Sequence, residues 1–268
     1  MSASPPGVSR IYVEGVGLWS RQLADFSSLR SLLAGVAPTP PPARPAAATL
    51  PPNERRRAPE SVLLAVEVAA QAVAMSGRDA ATLACVFASS HGDQPITDYM
   101  CATLARAPAE LSPIRFHNSV HNAPVGYWTI ATGCHAPSTA VAAQHASFGA
   151  GLLEAVSQVL AEHRAVLLVC SDTGGSGPLD EVTGCRQPFG CALVLAPQAG
   201  PSTLARLDLQ LTAAGVDPPL EEPLAGWRAG NPSAAGLPLL ALLAGGPGGC
   251  QLAAAATLGV RIDKENVA

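Results

Sequence analysis

Two uninterrupted apolar stretches of strand length, ATLACVFA at 81–88 and AVLLVC at 165–170, most constrain what this chain can fold into. A strand with no alternation has no polar face, so it must be covered on both sides, as in the parallel sheets of α/β proteins. Each stretch follows a helical pattern. PESVLLAVEVAAQAVAMSG, from Pro59, repeats apolar residues at helical spacing and stops at Gly77, a usual helix cap. Residues 148–162 carry Leu152, Leu153, Val156, Val159 and Leu160 on one face. The expected class is α/β.

The rest of the chain is placed around those elements. IYVEGVGLW at 11–19 predicts a first strand, followed by a short helix over 25–34. Residues 36–53 are rich in proline and alanine, which predicts a surface loop inserted into a single domain spanning 1–268. Residues 120–131 predict a helix interrupted by Pro124. CALVLA at 191–196 and LARLDLQL at 204–211 predict a pair of strands, 218–232 a loop holding Trp227, 237–243 a leucine-rich helix, and 257–262 a last strand.

Composition excludes several classes of function. The chain of 268 residues has 48% apolar and 13% charged side chains, enough for a core. Sixteen basic residues, among them a single lysine, Lys264, face 20 acidic ones, so no cationic surface for nucleic acid is expected. No apolar run is long enough to span a bilayer, and MSASPPGVSR lacks the apolar core of a signal peptide, so a cytoplasmic protein is expected. The seven cysteines are dispersed and without a CxxC pair, which predicts that most are small buried side chains rather than parts of a disulfide framework or a zinc site. No metal or cofactor motif is present.

The informative stretch is 115–150, RFHNSVHNAPVGYWTIATGCHAPSTAVAAQHASFGA. Asn122, Gly126, Ile130, Gly133, Pro137 and Ser138 fall without a gap on the pattern of a β-ketoacyl synthase of the thiolase-like superfamily, and the resemblance extends over most of 9–196. It implies a mixed sheet flanked by helices. It also places a nucleophilic cysteine eight residues beyond Pro137, at the head of a helix, where a lowered pKa makes a thiolate that accepts the acyl chain. That position is His145, with Gln144 beside it. Cys134 lies in the loop before Pro137, where no helix dipole would activate it. The two histidines that such synthases carry in their C-terminal half are also missing, since all six histidines precede residue 164, and the C-terminal half is reduced.

The chain therefore resembles the short chain-length-factor type of protein, which accompanies a complete ketosynthase in clusters for aryl polyenes and related polyketide or fatty-acid products. The resemblance implies a non-catalytic subunit of a heterodimer with a full-length β-ketoacyl synthase, with the acyl carrier protein engaged through that partner. It places Pro137, Ser138, Thr139, Ala140, Val141, Ala142 and Ala143 at the subunit interface. Tyr127, Trp128, Gln144, His145 and Phe148 are the candidates for the wall against which a growing chain stops. Two other readings stay open: a self-sufficient condensing or acyl-transfer enzyme with an unrecognised nucleophile, and a purely structural scaffold.

Other sites are weaker. SSHGD at 89–93 predicts a solvated turn, because adjacent loop residues do not form a triad. GGSGP at 174–178 lacks the last glycine of a nucleophile elbow. His117, His121 and His135 lack metal-ligand spacing. Arg55, Arg56 and Arg57 form a charge run expected to be solvated, and Asn118 and Ser119 are expected to cap the motif helix.

Overall fold

The computed structural model describes residues 7–38, 40–175, 178–215, 219–245 and 248–266. In chain order the elements are β1 (Val8–Ser20), α1 (Phe26–Leu33), α2 (Pro52–Arg57), α3 (Glu60–Ser76), β2 (Ala84–Ala88), α4 (Gln94–Arg106), α5 (Pro113–Asn118), α6 (Ala123–Thr132), β3 (Ser138–Val141), α7 (Ser147–Glu162), β4 (Val166–Asp172), α8 (Pro178–Thr183), β5 (Phe189–Ala196), β6 (Ala205–Ala213), α9 (Leu224–Ala229), α10 (Leu237–Ala244), β7 (Gly248–Ala253) and β8 (Leu258–Glu265).

The strands form one sheet in the order β3-β2-β4-β5-β1-β6-β8-β7. β2 runs parallel to both β3 and β4, and every other pairing among the described residues is antiparallel. The sheet is mixed: helix-containing crossovers join the parallel strands β2, β3 and β4, whereas among the antiparallel pairs of the other half only β7 and β8 are joined by a short return. Alternate residues of β2, β4 and β5 enter two separate cores. Val86, Leu168 and Leu193 pack with α7, α10 and α1, whereas Cys85, Phe87, Leu167, Val169 and Val194 pack with α3 and α6. This two-sided coverage is why those strands show no polar alternation.

α3 lies close against β1 because two glycines clear its path. A Cβ on Gly17 would stand 1.9 Å from the Val68 carbonyl oxygen, and one on Gly15 would stand 2.0 Å from that of Ala72. Val62, Leu64, Val66 and Val68 are thereby removed from water, each worth about 1.5–3 kcal/mol before entropy is counted.

Several expectations are corrected. The proline-rich stretch 36–53 is not wholly a surface loop, since Ala47 and Leu50 are buried in the α3 core and Pro52 already opens α2. Pro124 does not interrupt a helix but occupies the first turn of α6, where its missing N–H costs nothing. β5 and β6 both exist, yet they pair with β1 on its two sides and not with each other. Trp227 lies in the short helix α9 rather than a loop. The helices α4 and α5 and the edge strand β7 go beyond the sequence expectation, their sequences having weak periodicity or a glycine-rich start.

Candidate functional site

The site is built where β2, β3 and β4 all end on one side of the sheet, the usual place for a crevice in parallel α/β architecture. β3 leads into a turn at Gln144–Ala146 and then directly into α7. Gln144 takes the left-handed conformation, with φ +51°, which is uncommon for a residue with a side chain. Ser147 closes the turn: its hydroxyl accepts from the Ala143 N–H at 2.9 Å and donates to the Gln144 carbonyl at 2.7 Å. The backbone strain of this elbow therefore sits on Gln144, one residue before His145. Both side chains are exposed.

Behind the elbow stands Asp172, the last residue of β4 and 1% exposed. Its carboxylate accepts from Ser89 Oγ at 2.7 Å, from the Ser90 N–H at 2.9 Å and from Ser233 Oγ at 2.5 Å, with a longer bond from the His91 N–H at 3.4 Å. Burial nevertheless wins over these donors and raises its pKa above the ordinary carboxylate value. Asn231 braces the same residue from the other side, donating through Nδ2 to the Asp172 carbonyl at 2.8 Å and to that of Gln187 at 2.7 Å. The SSHGD turn is thus not simply solvated. Ser89, Ser90 and His91 wrap Asp172, and Asp93 caps α4 by accepting from the Ile96 N–H at 2.8 Å.

Three histidines gather over this network. The pKa of His91 is lowered, first by burial and then by His145 and His121, against the attraction of Asp172. His121 Nε2 lies 3.0 Å from the Ser89 carbonyl oxygen. Ser90 Oγ, His91 Nε2 and Thr173 Oγ1 are buried without a hydrogen-bond partner among the described residues. Among the described residues no three His, Cys, Asp or Glu side chains are placed so that they could hold one metal ion together.

The five wall candidates do not converge within this chain. Trp128 is buried in the α3 core and Phe148 in the α7 core, on opposite faces of the sheet. Phe148 supports the turn at 232–236, where a Cβ on Gly236 would press into its ring at 2.6 Å. Gln144 and His145 stay at the elbow. Tyr127 lines a cavity of about 480 Å³ between α6 and the proline-rich stretch, which is also bordered by Leu50, Pro51, His117, Gly126 and Ile130. The interface candidates Pro137–Ala143 include β3, which pairs with β2 and forms one edge of the sheet.

The remaining candidates are quickly placed. Cys134 is buried, its thiol donating to the Leu83 carbonyl at 3.3 Å, away from the elbow. Arg55, Arg56 and Arg57 form the last turn of α2. Asn118 and Ser119 do not cap the motif helix: Asn118 ends α5 and accepts from the Tyr127 hydroxyl at 3.2 Å, and Asn122 holds the cap position of α6. Residues 176 and 177 of GGSGP and residue 218 of the 218–232 stretch lie outside the described residues. Asp172, Asn231 and Ser233 escape sequence reasoning, because an acidic residue ending a hydrophobic strand carries no motif until a distant loop closes on it.

A mixed sheet between two helical layers, with an elbow feeding the helix behind it, defines the thiolase-like class. The family model for the β-ketoacyl synthase N-terminal domain matches residues 34–225, and the chain belongs to that family. A search of curated protein sequences returned no match. Among solved structures, the chain is similar to one in the complex of the ketosynthase ApeO with its chain length factor ApeC from Xenorhabdus doucetiae, with a TM-score of 0.71 and 23% identity over 94% of this chain and 98% of that one. It is also similar to a chain of the ishigamide ketosynthase/chain length factor, with a TM-score of 0.68 and 13% identity over 97% and 100% of the two chains. A third match is to the AntDE:AntF complex of a type II polyketide synthase acyl-carrier protein with its ketosynthase, with a TM-score of 0.63 and 17% identity over 77% and 70%. Among the described residues no helix is long and apolar enough to cross a membrane.

Proposed function

We propose that this chain is a non-catalytic, chain-length-factor-type subunit that pairs with a full-length β-ketoacyl synthase in polyketide or fatty-acid-type biosynthesis, aryl polyenes among its products. The observation that carries the reading is the elbow: a strained turn leads directly into a helix, and the position that the resemblance assigns to the nucleophile holds an exposed imidazole and no thiol. Carbon–carbon condensation needs an acyl thioester on the enzyme, and imidazole forms no comparably stable acyl intermediate. The buried Asp172 network then serves to hold the elbow and the loop after β2 in shape, without supplying a reactive group.

Two features support the pairing. β3 leaves one side of its ladder open at the sheet edge, a ready surface for another strand. Ile130, on the helix leading into that strand, is 84% exposed, and Ile114 and Phe116 are more than half exposed, large apolar side chains that burial against a partner would remove from water. In this reading Pro137–Ala143 meets the partner, and Tyr127 with the α6 cavity contributes to the space that limits chain length, the partner completing the wall that Trp128, Phe148, Gln144 and His145 do not form alone. The carrier protein docks on the partner, since a net charge of −4 with one lysine offers an acidic carrier little.

The test is coexpression with a full-length ketosynthase, followed by size-exclusion chromatography and labelling with a cerulenin-type covalent probe. The expected result is a 1:1 complex labelled on the partner only. Labelling of this chain would make it a condensing enzyme in its own right, and a complex whose product length ignores every cavity substitution would make it a scaffold.

A further inference from the structure

Two cysteines outside the elbow meet at the root of β3. Cys85 enters β2, and Cys134 follows Gly133, the left-handed cap of α6. Both thiols donate to one acceptor, the Leu83 carbonyl oxygen, each at 3.3 Å. The Leu83 carbonyl oxygen is thus the common neighbour of the two side chains. Cys85 is fully buried, whereas Cys134 is 6% exposed beneath the exposed loop residues Gly133 and His135. One thiol is therefore a step from solvent and the other stands directly behind it.

A disulfide needs sulfurs that approach to about 2.05 Å with a dihedral near 90°, so some backbone must give. The residue that has to move is Cys134, whose connection 133–137 is held at its start by the bond from the Cys134 N–H to the Thr129 carbonyl at 2.9 Å and at its end by the bond from the Cys85 N–H to the Pro137 carbonyl at 2.9 Å. The other close pair makes a useful contrast. Cys170 and Cys191 oppose each other across β4 and β5, but both are fully buried, and the Cys170 thiol already donates to Ser233 Oγ at 3.3 Å.

We propose that Cys85 and Cys134 form a reversible intrachain disulfide that staples the connection leading into the β3 edge to β2. A low-molecular-weight disulfide is the oxidant. The Cys134 thiolate attacks it, forming a mixed disulfide and expelling one thiolate; the Cys85 thiolate then attacks the Cys134 sulfur and expels the second, so the protein loses two hydrogens and the oxidant becomes two thiols. The first step falls to Cys134 because, at 6% exposure against 0% for Cys85, it is the nearer of the two to solvent, and the second is slow because burial pushes the Cys85 pKa up to about 12.

The full chain carrying Cys101→Ser, which removes the exposed thiol, is treated with oxidised glutathione and digested with trypsin without reduction. The arginines divide Cys85 and Cys134 between fragments 79–106 and 116–164. The expected result is a linked pair of these fragments, loss of two titratable thiols, and full reversal by dithiothreitol. A lasting glutathione adduct on Cys134, no modification of either thiol under conditions that fully modify Cys101 in the unmutated chain, or a link joining fragments 165–186 and 187–206 instead would each overturn the proposal.

Discussion

Ser233 Oγ donates to the buried Asp172 carboxylate at 2.5 Å, binding the end of β4 to a turn 61 residues later in the chain. The contact fixes the floor beneath the elbow. Ser233→Ala leaves a fully buried carboxyl one donor short, and a loss of about 1–3 kcal/mol is expected in urea unfolding. No change in the unfolding midpoint would show that Asp172 does not depend on this bond.

Asp172 also sets a pH dependence whose sign follows from burial. Its folded pKa is raised above 3.8, so the folded chain holds the proton more tightly than the unfolded one. The stability that this contributes is present below the unfolded value and is lost as pH rises through the raised folded value. Asp172→Asn should therefore gain stability relative to the unmutated chain as pH rises through the region above 3.8. A pH-independent difference between the two in denaturant titrations would contradict this.

His91 has the opposite behaviour. Its folded pKa lies below 6.5, so the stability associated with the neutral ring is present above that value and is lost as pH falls through the lowered one. His91→Gln should flatten the decline in stability below pH 6.5. An NMR titration placing the His91 pKa at or above 6.5 would refute the premise.

Two glycine substitutions should part in sign. Gly17→Ala drives a methyl into the Val68 carbonyl, and a loss of about 4 kcal/mol or more, or failure to fold, is expected. Gly126 lies inside α6, and a Cβ there would meet no atom within 4 Å, so Gly126→Ala should stabilise by about 0.5–1 kcal/mol. Gly126→Leu should fill the α6 cavity and shorten the product made with a partner synthase. Thermal unfolding and product analysis check both.

At the elbow, His145→Ala should leave the partner's condensation rate within about tenfold, because an exposed side chain holds little of the turn together. Phe148→Ala, in contrast, empties a buried site under Gly236 and should cost about 3–5 kcal/mol. Loss of all condensation in His145→Ala, with the complex intact, would make the histidine catalytic.

The sequence alone determined the helices α3 and α7, the strands β2 and β4, and the absence of a thiol at the elbow. These are local: periodicity, a cap or the identity of one residue states them without reference to the rest of the chain. Only the tertiary structure decided that β1 separates β5 from β6, that Trp128 and Phe148 fall on opposite faces of the sheet, that Asp172 gathers Ser89 and Ser233, and that Cys85 and Cys134 share one carbonyl. Each of these joins segments tens of residues apart, and hydrophobic pattern carries no information on which distant segments meet. The partners are selected by the pairing and packing of the whole sheet, so the chemistry of the site became legible only when the sheet closed around it.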